Sequence, residues 1–381
     1  MKIAIDVRRI DDFGVGTYIR NLLNALGATD PDNQYTLIAS PGSHAAIDIL
    51  PANFRAVPYA RSDLDRREHL RFASFVRGLN VDLVHIPLNR VPLIMPRPYV
   101  VTVHDIANLL FEEGAKFRLA LRRFRFRRGL TRASKIMTVS AATRRDVQNL
   151  LALPDEQVRV VYSAPDPNFF RGDGDDPAAG ALLRSRILER YQIQYPFLLY
   201  AGSIRPQKNI PRLIEAFAVA RQTLSSHPVY RDLRLIIIGD EISRYPQVRR
   251  TVIQSRVEDS VRFLGFVPFE TLRIFYAAAA AFVFPSLYEG FGLPPLEAMA
   301  SGTPVVTSSV SSLPESTGDA ALLVNPENVF DIARGIEEVL LNEGLRAELI
   351  ERGLEQAQKF SWFRTAREVV KIYLEAVQGR S

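Results

Sequence analysis

The chain predicts an α/β protein made of two doubly wound domains, and three observations carry that expectation. Short β-branched strands alternate with amphipathic helices in both halves. The length, 381 residues, exceeds one small core and suits two domains of similar size. A stretch rich in Pro, Gly and Asp, Ser163–Gly180, interrupts the alternation near the middle. The expected division is therefore 1–170, 171–360 and a last helix over 361–381.

In the first half the strands are expected at Lys2–Val7, Tyr35–Ala39, Asp82–Ile86, Tyr99–His104 and Lys135–Val139. In the second they are expected at Phe197–Ala201, Leu233–Ile238, Val261–Phe263, Ala281–Phe284, Pro304–Val306 and Ala321–Val324. Each is a short apolar run rich in Val, Ile and Phe. Between them, Tyr18–Ala28, Asn209–Leu224, Phe269–Ala278 and Val329–Leu341 carry a helical spacing of apolar residues. Ser361–Val377, with Trp362, Phe363, Val369, Val370, Tyr373 and Leu374, is the expected terminal helix, and the Gly/Asp-rich part of the linker, Gly172–Gly180, is expected to be mobile.

Composition narrows the chemistry. Hydrophobic residues at 47% and charged residues at 24% exclude a disordered or fibrous chain. The absence of cysteine excludes disulfide frameworks, thiolate zinc sites and a cysteine nucleophile. The opening Ile3-Ala4-Ile5 run is too short for a signal peptide, and no apolar run approaches the ~20 residues of a membrane span. A cytosolic protein is expected, able to touch a membrane from that side. Residues 1–170 hold 24 Lys+Arg against 17 Asp+Glu, whereas 171–381 hold 24 against 25, so the basic excess lies in the first half.

Four motifs follow strands. Phe13-Gly14-Val15-Gly16-Thr17-Tyr18 is a glycine turn ahead of a helix, which lets backbone approach an anion; Ile19 stands where a dinucleotide fingerprint needs its third glycine, so a plain tight turn and a phosphate contact both stay open. His104-Asp105 lies at a strand's C-terminal end, where ligands of open parallel sheets collect; a ligand contact and a strand cap both fit. Gly202–Asn209 places Arg205 and Lys208 before a helix, a diphosphate site or a solvated pair. The strongest is Pro285–Glu297, where Pro294 or Pro295 suits a first helical turn and amides around Gly290–Leu293 form an anion cradle. Glu289 and Glu297, with seven residues between them, suit sugar and ribose hydroxyls better than bare phosphate, which two carboxylates would repel.

At these residues the sequence resembles the retaining GT-B glycosyltransferases of family 4, whose mark is two glutamates separated by seven residues. The following Ala298–Val306, the glycine turn, His104-Asp105, Ser140, the Arg/Lys loop and Trp362 agree with the family in order, so the resemblance covers nearly the whole chain. Phe13–Tyr18 and Ser308–Glu315 look most like bacterial mannosyltransferases of O-antigen and exopolysaccharide assembly.

The resemblance implies two Rossmann-like domains facing across a cleft, with the terminal helix crossing back to the N-terminal one. It implies that Glu297 holds the ribose, Glu289 the donor sugar, and Phe291, Gly292 and Leu293 with Gly290, Gly14 and Gly16 the diphosphate or sugar. His104 would reach the sugar's far end, Lys208 the leaving diphosphate, and Val267 the base by backbone contact. Where many members carry an Arg after the glycine, this chain has Ser203, and Arg205 stands two positions along as its substitute.

The implied donor is GDP-mannose, with UDP-glucose or UDP-GlcNAc as alternatives, and the implied acceptor is a glycan or a polyprenyl-diphosphate-linked glycan. Front-face transfer is implied, with the leaving phosphate taking the acceptor proton. No metal or other cofactor is expected; Asp63-Leu64-Asp65 and Asp173-Gly174-Asp175 look like metal-binding pairs but stand in loops without partners. An epimerase or phosphorylase on the same fold, and a non-catalytic nucleotide-sugar binder, are the competing readings.

Residues 116–135 hold nine cations and no acid, among them Lys116, Arg118, Arg122, Arg123, Arg125, Arg127 and Arg128, interleaved with Phe117, Phe124 and Phe126. An anionic membrane surface or a lipid-diphosphate acceptor fits this helix, as does a solvated basic face over a buried apolar one. Nucleic acid is not expected, because no binding signature accompanies the charge.

Overall fold

The structure, a computed structural model, describes residues 1–12, 14–42, 47–60, 68–111, 116–171, 177–240 and 242–379. The chain divides into two compact units, one of Met1–Ala164 with Phe360–Ser381 and one of Pro165–Lys359. The division falls at 164/165 rather than 170/171, because Phe169 packs edge-on against Phe269 and Tyr276 of the second unit, at 5.1 and 5.4 Å between centroids.

The first unit runs β1 (Lys2–Asp6), α1 (Val15–Thr29), β2 (Gln34–Ala39), β3 (Phe54–Pro58), α2 (Glu68–Gly78), β4 (Leu83–Ile86), β5 (Tyr99–Val103), α3 (Ala107–Leu110), α4 (Lys116–Thr131), β6 (Lys135–Thr138), α5 (Ala141–Leu151) and β7 (Val158–Val160). Among the described residues these strands form one parallel sheet in the order β3-β2-β1-β4-β5-β6-β7. Ile5 pairs with Leu37 on one side and His85 on the other, so the strand order reverses between β1 and β4. Such a reversal opens a crevice at the C-terminal strand ends, where ligands of doubly wound sheets bind.

The second unit runs α6 (Pro177–Arg190), β8 (Phe197–Gly202), α7 (Ile210–Thr223), β9 (Arg234–Gly239), α8 (Pro246–Gln254), β10 (Val261–Gly265), α9 (Phe269–Ala278), β11 (Ala281–Phe284), α10 (Leu293–Ala300), β12 (Val305–Ser308), α11 (Leu313–Thr317), β13 (Leu322–Val324), α12 (Val329–Leu341) and α13 (Glu343–Gln358). Its parallel sheet has the order β10-β9-β8-β11-β12-β13, and the reversal lies between β8 and β11, where Leu199 pairs with both Ile236 and Phe282.

The last helix, α14 (Trp362–Gln378), returns to the first unit and packs on α1, with contacts to β4 and β5. Its apolar stripe explains this: Trp362, Val369 and Tyr373 are buried, each worth about 1.5–3 kcal/mol of removed apolar surface. β3 and β7 are strands the sequence reading leaves out. β3 is a half-exposed edge strand without an apolar run, and β7 is a three-residue edge. Pro177–Gly180, expected as mobile linker, opens α6, with Pro177 in the first helical position where its missing N–H does no harm. Gly172–Asp176, and with it the Asp173/Asp175 pair, lies outside the described residues, as do Asp63–Asp65 and Phe13. No helix among the described residues is long and apolar enough to cross a membrane.

Candidate functional site

In the second unit the chain leaves β8 and β11 side by side, and the two loops are stitched together. The Leu287 amide donates to the Gln207 carbonyl at 2.8 Å. Asn209, buried and with φ +60°, donates to the carbonyls of Pro285 (2.9 Å) and Pro326 (2.7 Å). Asn tolerates this left-handed backbone better than most residues, so Asn209 can end the 3-10 turn Pro206–Lys208 and cap α7 in one position.

That turn presents Lys208. Its Nζ lies 2.5 Å from Glu289 Oε1 and 5.3 Å from the centre of the Phe284 ring below it. Both side chains keep some exposure, 15% and 11%, so the pair is reachable from solvent. Glu289 is held by its backbone: its amide donates to Ser311 Oγ (3.1 Å), and the Ser311 and Ser312 hydroxyls donate to its carbonyl at 2.7 and 2.9 Å.

After Glu289 the chain turns at Gly292, whose φ is +102° and where a Cβ would come within 2.9 Å of Leu313 and Ser316 side-chain atoms. Only glycine fits there. α10 then begins, and because Pro294 and Pro295 carry no N–H, the orphan amide donors of this helix start reduce to Gly292 and Leu293. The expected cradle is thus two amides wide at the helix start. Glu297, inside α10, accepts from the Tyr276 hydroxyl at 3.0 Å. Burial lifts its carboxyl to about 7, the Tyr276 bond works against the shift, and Asp166 adds to it. A carboxyl near neutrality beside an ion-paired one lowers the repulsion that a diphosphate would meet.

Lys208 and Glu289 are therefore brought together, and Glu297 lies in the same segment. Arg205 is exposed beside Tyr245 and does not join that pair. Val267 is buried after Gly265, with Phe266 exposed between them.

In the first unit Gly14 (φ +78°) caps α1, and Gly16 is pressed so closely on the Ile10 carbonyl that a Cβ would lie 2.4 Å from its oxygen. His104 follows β5. Asn89 clamps its backbone, accepting from the His104 amide (3.1 Å) and donating to the Asp105 carbonyl (2.9 Å), while the Asp105 carboxylate accepts from the Ala107 amide (2.9 Å) just ahead of α3. His104 Nε2 lies 3.0 Å from the Pro87 carbonyl, which can only accept, so the neutral ring carries its proton there. Burial lowers its pKa, against opposing pulls from the Pro87 carbonyl and Asp105. Ser140, buried, caps α5 by accepting from the Thr143 amide at 2.9 Å, a structural duty.

On α4, Arg122, Arg123, Arg127 and Arg128 are exposed together with Phe124 and Leu121, while Phe126 and Leu130 are buried and Arg125 is half-buried. The side chains of Lys116 and Arg118 lie outside the described ones.

The sequence reading missed Tyr276, Asp166, Asn89 and the Ser311/Ser312 clamp. Ser311 and Ser312 stand in the Ser308–Glu315 stretch already singled out, but nothing in their neighbourhood points back to Glu289, 22 residues earlier. Tyr276 looks like any helix residue until α9 is seen against α10.

Two parallel-sheet Rossmann-like units, the second with cation, carboxylates and helix start gathered at its strand-order reversal, define the GT-B class of glycosyltransferases. The profile described as Glycosyl transferases group 1 matches residues 186–356, and that of Glycosyltransferase Family 4 matches residues 14–169. The chain belongs to this family of glycosyltransferases. It is 34% identical over 277 residues to O-antigen chain mannosyltransferase B of Escherichia coli, covering 72% of this chain and 69% of that one. It is 30% identical over 299 residues to the serotype-specific mannosyltransferase WbdA of Escherichia coli, covering 78% of this chain but only 35% of that longer protein. Among solved structures, the sucrose-phosphate synthase (tll1590) of Thermosynechococcus elongatus superposes with a TM-score of 0.77 at 20% identity, over 98% of both chains.

Proposed function

We propose that this glycosyltransferase moves mannose from GDP-mannose, with retention of configuration and without a metal ion, onto a glycan or lipid-linked glycan acceptor of a bacterial surface polysaccharide. The observation that carries the reading is the Lys208–Glu289 pair at the β8/β11 reversal, one turn of chain before the Gly292 and Leu293 amides. The mannose assignment takes its support from the name of the E. coli O-antigen relative.

In this reading Lys208 and the two amides receive the diphosphate, Glu289 accepts from sugar hydroxyls and Glu297 from the ribose. The sugar C1–O bond to phosphate breaks, the acceptor oxygen bonds C1 from the same face, and the acceptor proton passes to the departing phosphate oxygen. Charge developing on that oxygen is met by groups already in place, the form of catalysis that often supplies the largest share of rate. Lys208 and the amides thus take the part a divalent cation plays elsewhere.

Calorimetric titration with GDP-mannose and UDP-glucose, in chelator and without acceptor, tests the donor. Saturable binding of GDP-mannose alone supports the proposal; binding of UDP-glucose alone, or binding only after magnesium or manganese is added, overturns the donor or the metal assignment. NMR of the product's anomeric centre reads retention directly.

A further inference from the structure

A line of buried side chains in the first unit joins α14 to the ring of His104. From Tyr373 Oη to His85 Nδ1 is 2.7 Å, from His85 Nε2 to Thr102 Oγ1 2.8 Å, and from Thr102 Oγ1 to Tyr18 Oη 3.3 Å. All four residues are buried. Tyr18 then meets His104 edge-on, ring centroids 4.7 Å apart at 82°, and Trp362 of α14 meets Tyr18 in the same manner at 5.6 Å.

Four groups bring one proton each to three hydrogen bonds, so several proton arrangements fit this line, and each leaves one hydroxyl proton unused within it. When both phenols donate, Tyr373 gives its proton to His85 Nδ1 and Tyr18 gives its proton to Thr102 Oγ1. His85 is left with its proton on Nε2, directed at Thr102. A second proton on His85 would set a ring N–H against the Tyr373 O–H, and burial, with His104 nearby, already holds the ring neutral down to about pH 3.

We propose that Tyr373, His85, Thr102 and Tyr18 act as one positioning chain, by which α14 fixes the His104 ring with Nε2–H committed to the Pro87 carbonyl and Nδ1 presented as a hydrogen-bond acceptor. Nδ1 has no hydrogen-bond partner among the described residues. An acceptor nitrogen takes a hydroxyl proton and repels a carboxylate, so this position selects a neutral hydroxyl-bearing hexose over a uronic acid. The inference rests on the reading above in one respect, that His104 touches the transferred sugar.

Histidine-ring 15N NMR of the full chain tests it, with five histidines to resolve and the His104→Gln variant to assign one. At pH 7 both His85 and His104 should be neutral with the proton on Nε2. Tyr373→Phe removes the donor to His85 Nδ1; the His104 ring signals should then broaden or mix tautomers, and kcat should fall about tenfold while the donor KM moves less than about twofold. Thr102→Ser keeps the hydroxyl and should preserve the wild-type ring pattern, whereas Thr102→Val should reproduce that of Tyr373→Phe. A wild-type His104 protonated on Nδ1, or His104 signals unchanged in both Tyr373→Phe and Thr102→Val, overturns the proposal. If no nucleotide sugar is turned over, the functional reading fails, and the ring signals still decide the chain.

Discussion

The two units solve the same problem with opposite chemistry. At the reversal of the second sheet stand ionised groups, the Lys208–Glu289 pair and Glu297 near its titration point, all partly exposed. At the corresponding edge of the first sheet stands a neutral assembly, His104 backed by Tyr18, Thr102 and His85, most of it sealed from solvent. Charges left partly wet keep most of their hydration and can exchange partners with an arriving ligand, whereas neutral groups can be buried at little cost if every hydrogen bond is met. The difference teaches that one unit keeps exchangeable charge at its strand-order reversal and the other holds a geometry.

Breaking the charged half should give the largest effect. Lys208→Ala is expected to lower kcat by about 10²–10³-fold, the usual cost of losing one group aimed at developing charge, measured in a radiolabelled transfer assay. A loss confined to KM would place Lys208 in donor binding alone. Next in size, Glu297→Gln should weaken donor binding about tenfold at pH 8. Because the folded carboxyl titrates near 7, wild-type affinity should drop as pH falls through 7 while the variant's stays flat, and calorimetry at pH 6 and 8 separates them.

The neutral half should break in stability rather than rate when acidified. His85 titrates at about 3 when folded against an ordinary 6.5, so the unfolded chain binds the extra proton. Its contribution is fully present above pH 6.5 and is lost as pH falls toward 3, at about 1.4 kcal/mol per pH unit. Melting curves between pH 4 and 7 should therefore slope more steeply for the wild type than for His85→Gln. The smallest effect belongs to α4. Exchanging Arg122, Arg123, Arg127 and Arg128 for Gln should leave transfer to a soluble acceptor within about twofold, yet reduce flotation with anionic vesicles, whose attraction is about 1 kcal/mol per cation and weakens in salt. Equal flotation of both proteins would assign the helix a solvated face.

What the sequence disclosed divides along similar lines. Central strands such as Ala281–Phe284, and helices such as Phe269–Ala278 and Val329–Leu341, could be delimited to the residue, because they carry their apolar pattern locally. The edge strands β3 and β7 escaped, being half-exposed or three residues long. The Lys208, Glu289 and Glu297 motifs were legible because glycine, proline and charge cluster within a few positions. His85 was hidden: one histidine in the short run Leu83–Ile86 looks like any strand position, and its partners Thr102 and Tyr373 come from elements 17 and 288 residues away. Side chains that act through distant neighbours leave no local signature.

The return of α14 to the first unit has a consequence for how the chain is made. During synthesis the ribosome delivers β1–β7, then the whole of the second unit, and only afterwards the helix that covers α1. Until Trp362–Gln378 emerges, the buried face of α1, with Tyr18, lacks its cover, and His85 lacks the hydroxyl that Tyr373 brings. Domains that fold as they emerge normally finish in N-to-C order. Here the unit begun first is completed last, so a released chain truncated before residue 362 would hold a finished second unit behind an unfinished first.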